Sequence, residues 1–137
     1  MEHAPVSNQV APRPAIVLCI GLGILDLFLG GLAAFLPRGY AAIFHPGLAD
    51  PPVDFIVRTG FLWLFFCAVE LRAGLGSVKG RWLFLVGALR LMDVPADLAY
   101  ATLAMGSPWW SRAMIYCAPV FNFIVGIYLW RVSKRLD

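Results

Sequence analysis

Long apolar runs alternate along this chain with short breaks rich in glycine, proline and charge. The first run, over 15–36, is interrupted only by Asp26. About 20 residues cross a hydrocarbon core as a helix, so this run predicts a membrane span. A cleaved signal sequence would need a shorter apolar stretch behind a basic start, and here only Arg13 precedes it. Residues 1–14, polar and carrying Pro12 and Pro14, predict a short disordered tail.

The connection from Pro37 to Asp50 is the longest, with Gly39, Pro46 and Gly47 as breakers. Residues 40–44 suit a membrane surface but are too few to define an element. Asp50-Pro51-Pro52 predicts a helix start, with Asp as N-cap and proline at the first helical position, where its missing N–H costs nothing. Asp54 adds a negative charge that the helix dipole favours in the first turn. The second span is expected over 56–78 and the third over 82–104, separated by the turn Gly76-Ser77-Val78-Lys79-Gly80. Gly106-Ser107-Pro108 ends the third span. The fourth, over 113–130, leads into a basic tail over 131–137. Trp82, Trp109, Trp110 and Trp130 fall at span ends, where indole rings prefer the headgroup region.

Composition agrees with this pattern and removes its rivals. Of 137 residues, 61% are hydrophobic and 14% charged, and the mean hydropathy is +0.78. Soluble domains carry roughly a quarter charged residues. Disorder is excluded by the apolar excess, and a disulfide-stapled module by three cysteines, a small and odd number. The expected fold is therefore all-α: an integral membrane four-helix bundle of up-down topology. Arg13, Lys79, Arg81, Arg131, Lys134 and Arg135 fall on one side of such a bundle, and Arg38, Arg58 and Arg112 on the other. The basic excess marks the cytoplasmic side. Both termini are thus expected in the cytoplasm, in a bacterial inner (plasma) membrane. The net charge of +3 then needs no nucleic acid to explain it.

Asp26, Glu70, Arg72, Arg90, Asp93 and Asp97 remain inside the expected spans. Each charge at a helix centre costs about 2.5–3.5 kcal/mol on insertion scales, so such groups face a bundle interior and find partners. Arg90, Asp93 and Asp97 sit at i, i+3 and i+7 and share one face, which Tyr100 extends. Pro95 between the aspartates predicts a kink or weakened turn. A charged face beside a broken helix suits an ion or substrate site; the plainer alternative is an Arg90–Asp93 pair that locks packing. Arg72, nearer a span end, is expected to snorkel to the interface. Four embedded acids oppose two bases, so one or more of Asp26, Glu70 and Asp97 is expected to be neutral.

The second helix places Thr59, Trp63, Cys67, Glu70 and Gly74 on one face. The first has a small-residue face, Cys19, Gly23, Asp26, Gly30 and Ala33, of the kind that lets helices approach closely. The fourth contributes Tyr116, Pro119, Asn122 and Gly126. The expected polar core, for ligand binding or structure, is Asp26, Glu70, Arg90, Asp93, Asp97, Tyr100 and Asn122.

Sought chemistry is missing from the pattern. His3 and His45 lie in the tail and a loop, so a bis-histidine haem site inside the bundle is not expected. Cys19, Cys67 and Cys117 lack metal or redox spacing. No nucleophile elbow, phosphate loop or zinc-protease helix occurs. No catalytic residue, metal or cofactor is expected.

Two resemblances touch short segments. Ala68-Val69-Glu70 and the glycine-and-basic turn from Gly76 to Arg81 resemble the DoxX-like group, although the first helix lacks that group's early arginine. Leu36-Pro37-Arg38, the embedded acids and Tyr116-Cys117-Ala118-Pro119 are similar to the EXPERA group of sterol-binding and sterol-isomerising proteins. This chain is shorter than those, and Asp26 stands at a different distance from Pro37. Neither resemblance carries a catalytic residue across.

The expected function is non-catalytic: an accessory or interaction subunit whose buried charges hold a partner helix or an amphipathic ligand. Its partners are the lipid bilayer, a membrane protein or second copy, and a lipid, quinone, sterol or pigment. The alternatives are a proton-coupled small-molecule transporter using Glu70, Asp93 and Asp97, or a lipid- or sterol-directed isomerase using the same acids.

Overall fold

The computed structural model describes residues 11–47, 51–77, 80–103 and 108–136. Five α-helices fold these residues: α1 (Arg13–Phe35), α2 (Pro37–Phe44), α3 (Val53–Leu75), α4 (Gly80–Leu103) and α5 (Trp109–Ser133). No strand occurs among the described residues. The protein is all-α, with one helix more than the pattern predicts.

Proline punctuates most of these boundaries. A residue that precedes proline is pushed out of the α region. Leu36, before Pro37, therefore leaves the helix at φ −133° and ends α1, and Pro37 opens α2. His45, before Pro46, ends α2 in the same way at φ −135°. Pro52 and Pro108 hold the N-cap positions of α3 and α5. The start of α3 corrects the expected one, because Pro51 stands outside the helix. Asp50, the expected cap, lies outside the described residues, as do residues 1–10 of the expected tail and Lys79, Gly106 and Ser107 of the turns. Asp54 does fall in the first turn of α3. Arg13 and Pro14 are helical rather than tail, and α5 extends through Arg131 to Ser133, into the expected basic tail. Helix α4 passes through Pro95 and α5 through Pro119 without a break, although neither proline can donate to the carbonyl four residues before it.

The long helices run up and down in two tight pairs. In the first, α1 lies on α3 with the order reversed: Gly30 meets Gly60 and Leu64, while Ile20 meets Gly74. A methyl placed on Gly60 would stand 2.4 Å from the Ala34 backbone nitrogen, and one on Gly30 2.9 Å from the Gly60 carbonyl oxygen. The backbones touch because no side chain keeps them apart. In the second pair, Gly87 of α4 and Gly126 of α5 approach slightly less closely, each prospective methyl 3.0 Å from the other's carbonyl oxygen. The pairs join more loosely, through α3 and α4.

The interior has three layers. At the end that holds both termini, Ala15, Cys19, Val69, Ala73, Leu83, Val86, Val125 and Leu129 form an apolar layer. At the opposite end, Ala33, Tyr40, Ala41 and Ile56 form a smaller one beneath α2, with Trp63 and Phe44 against it. Between them lies a polar layer of Asp26, Glu70, Arg90, Asp93 and Asn122, all buried. The outside is the apolar surface: Ile24, Phe28, Phe61, Phe65, Met92 and Ile124 are exposed.

Two of the four expected spans, α1 and α5, are long and apolar enough to cross a membrane. Helices α3 and α4 are as long, but every 18-residue stretch of either carries at least three charged residues.

Candidate functional site

One guanidinium organises the polar layer. Arg90 reaches the site from the centre of α4, and its side chain is 5% exposed. Its Nε donates to Glu70 Oε1 at 2.8 Å, and its Nη2 donates to the same oxygen and to Asp26 Oδ2 at 2.7 Å. Thus α4 is tied to α3 and to α1 by one side chain. Its Nη1 points to Asn122 Oδ1 of α5, at 3.4 Å. The Phe66 ring packs against the guanidinium, 5.7 Å from its carbon. Arginine suits this place because its planar fork presents several donors in fixed directions and it is weakly hydrated.

Asn122 passes the network on. Its Nδ2 donates to Asp97 Oδ2 at 2.8 Å and to Asp93 Oδ2 at 3.3 Å. With its oxygen towards the guanidinium and its nitrogen towards two carboxylates, the amide has the orientation that satisfies all three neighbours. The Arg90–Asp93 pair, the plainer alternative at their i, i+3 spacing, does not form: Arg90 turns away from its own helix to carboxylates on α1 and α3. Two acids otherwise buried alone gain more from the guanidinium than Asp93, which has Asn122. Glu70 Oε2 remains, among the described residues, a buried side-chain oxygen with no hydrogen-bond partner.

A second cluster lies nearer α2. His45, which follows α2, is 3% exposed. Tyr100 OH lies 2.7 Å from its Nε2 and Ser111 Oγ 3.4 Å from its Nδ1. Ser111 Oγ donates to the Phe44 carbonyl oxygen, so it can only accept from His45. The protonated nitrogen is then Nδ1, and Nε2 accepts from Tyr100. Burial lowers the His45 pKa below its ordinary 6.5, in keeping with this neutral tautomer. Burial likewise raises the hydroxyl of Tyr40 on α2, helped by the nearby Tyr100 and Asp97.

Between the clusters and α2 is a cavity of about 330 Å³, lined by Tyr40, Phe55, Trp63 and Tyr100, by Thr59 and Leu62, and by Asp93 and Asp97. A smaller hollow of about 220 Å³ shares Tyr40, Trp63, Asp97 and Tyr100 and continues towards His45 and Ser111. The Phe55 and Tyr100 rings stack at 5.8 Å, and Tyr40 meets Trp63 at 6.0 Å. Arg58 stands exposed at the rim.

Six residues of the expected core, Asp26, Glu70, Arg90, Asp93, Asp97 and Asn122, thus meet in one network. Tyr100 stands apart from it by hydrogen bonding and joins it only through the shared cavity wall. Arg72 is exposed, with its guanidinium over the Trp82 ring at 5.7 Å. The pattern missed Tyr40, His45 and Ser111. Their only sequence signals are a short aromatic segment and a histidine before proline. Among the described residues no cluster of His, Cys, Asp or Glu has the spacing to hold a metal ion. No family model, curated protein or solved structure matches the chain.

Proposed function

We propose that the chain is a multi-pass membrane protein with four spans, α1, α3, α4 and α5, and both termini cytoplasmic in a bacterial inner membrane. It is a non-catalytic accessory protein that holds an amphipathic ligand in the cavity beneath α2. The membrane reading is supported by an inverted distribution of polarity. Glu70 of α3 and Arg90 of α4 turn inward and are bonded to each other, Asp93 and Asp97 are bonded to Asn122, and Arg58 and Arg72 stand exposed towards the two ends of α3, while Phe28, Phe61, Phe65 and Leu98 face out. Only 33% of the apolar window of α1 and 28% of that of α5 is buried, whereas the core helix of a soluble protein would be mostly covered. Basic residues crowd the end with both termini, and the exposed Trp109 and Trp110 sit at the other.

The cavity is the observation that carries the ligand reading. Its volume falls at the lower end of small-molecule sites, which are mostly apolar with a few placed polar groups. Extraction of the full chain into polymer-bounded lipid discs, followed by mass spectrometry, tests it. A single small molecule retained near one per chain is expected, and depleted in Trp63→Leu; bulk lipid alone would refute ligand holding. A reporter fused after Asp137 should be active only in the cytoplasm.

Proton-coupled transport is the second reading. It is favoured by the bonded chain from Asp26 and Glu70 through Arg90 and Asn122 to the cavity carboxylates. Uptake into proteoliposomes that follows an imposed pH gradient would select it.

A further inference from the structure

We infer that the polar end of the ligand is an organic cation, an amine or quaternary ammonium, seated between the carboxylates of Asp93 and Asp97 and the rings of Tyr40, Phe55, Trp63 and Tyr100. The inference rests on the ligand-holding reading and narrows it to one chemical class.

Charge bookkeeping within the site gives the first argument. Arg90 is committed to Asp26 and Glu70. It reaches the cavity carboxylates only through Asn122, a neutral amide that engages Oδ2 of each. Among the described residues no ion pair is made by Asp93 or Asp97. They line the cavity with acceptor oxygens and no cation of their own. Arg58 is the basic residue in the cavity wall, and it stands exposed at the rim, where solvent screens it.

The rings give the second. Aromatic faces attract cations, and cages of such rings are the usual means of holding quaternary ammonium groups. A neutral apolar occupant would set hydrocarbon against the carboxylates, which costs their hydration without replacement. An anion would meet two acids. Calcium and magnesium take six or more oxygen ligands, whereas the lining here is mainly ring and hydrocarbon, and no cluster of His, Cys, Asp or Glu among the described residues suits another metal ion. An organic cation satisfies both kinds of wall, and unlike a neutral donor it also supplies the charge that the two carboxylates lack.

Equilibrium binding to the full-length protein in lipid discs tests this, with empty discs subtracted. The probes are benzyltrimethylammonium, its uncharged carbon analogue neopentylbenzene, and phenylacetate. Saturable binding of the ammonium is expected, at least tenfold weaker in Asp97→Asn and in Trp63→Leu. The second variant leaves the polar network untouched, so it decides the matter if the first fails to fold. Equal affinity for neopentylbenzene, preference for phenylacetate, or a retained native molecule without a basic nitrogen would overturn the inference while leaving ligand holding intact. No saturable binding of any probe, together with no retained molecule, would overturn both.

Discussion

The two ends of the polar layer are built from the same residue types and left in different conditions. Around Arg90, three helices supply partners, the Phe66 ring covers the guanidinium, and an apolar layer seals the side towards the termini. Around Asp97 and Tyr100, the carboxylates keep oxygens turned to a cavity, and the covering elements are the eight-residue α2 and His45 that follows it. The first cluster ties three helices to one guanidinium and leaves Glu70 Oε2, among the described residues, buried without a hydrogen-bond partner; the second turns its carboxylates to a cavity with room for something else. On the proposed reading the first packs and the second recognises, although both look alike as charges in an apolar sequence.

Breaking the closed cluster should have the largest effect. Arg90→Leu leaves Asp26 and Glu70 buried without a cation, and loss of one partner of a buried pair costs about 3–5 kcal/mol. The folded fraction recovered in detergent should collapse. Arg90→Lys should rescue only part of it, since an ammonium lacks the fork that spans α1 and α3. If both variants melt like the parent, the network is not what joins the helix pairs.

Gly60→Ala comes next. The new methyl would strike the Ala34 backbone at 2.4 Å, and neither chain can turn a side chain aside. Overpacking of this kind costs about 1–3 kcal/mol, readable as a lower melting temperature. Gly87→Ala, with 3.0 Å of room, should cost less.

Much of this was legible in the chain, and the illegible parts have physical causes. Arg90, Asp93 and Asp97 at helical spacing mark the inward face of α4, and the glycines of α1 mark a face for close approach of a neighbour, which the structure shows to be α3. Helical period fixes which residues share a face. It does not fix which neighbour a long side chain chooses, and so the Arg90–Asp93 pair that the spacing allows gives way to bonds with Asp26 and Glu70. His45 was unreadable for a related reason. Its burial depends on α2, α4 and α5 converging, and no local pattern encodes that. Helix α2 is too short for a periodic signal, and only the prolines at either end delimit it.

The smallest effect should appear in the open cluster as a function of pH. His45 is held neutral, with its folded-state pKa lowered by burial from the ordinary 6.5. The unfolded chain then binds the proton more readily, so stability is complete above about 6.5 and declines as pH falls towards the folded-state value. Thermal melts at pH 7.5 and 5.0 should show this decline, and His45→Gln should show less of it. An identical pH response in both proteins would remove His45 from the account. Asp97→Asn should barely move the melting temperature while it weakens ligand binding, a separation opposite to that expected for Arg90→Leu.

The claim that one end is open and the other sealed is met most directly by thiol labelling from the two sides of the membrane. Ala96 lines the cavity and Val86, on the same helix, is fully buried in the apolar layer. A trimethylammonium-bearing thiosulfonate would be applied to each cysteine variant, with the unaltered protein as baseline. The account predicts rapid modification of Ala96→Cys from the side opposite the termini and none of Val86→Cys from either side. Equal reactivity at both positions, or modification of position 96 only from the side of the termini, would contradict it.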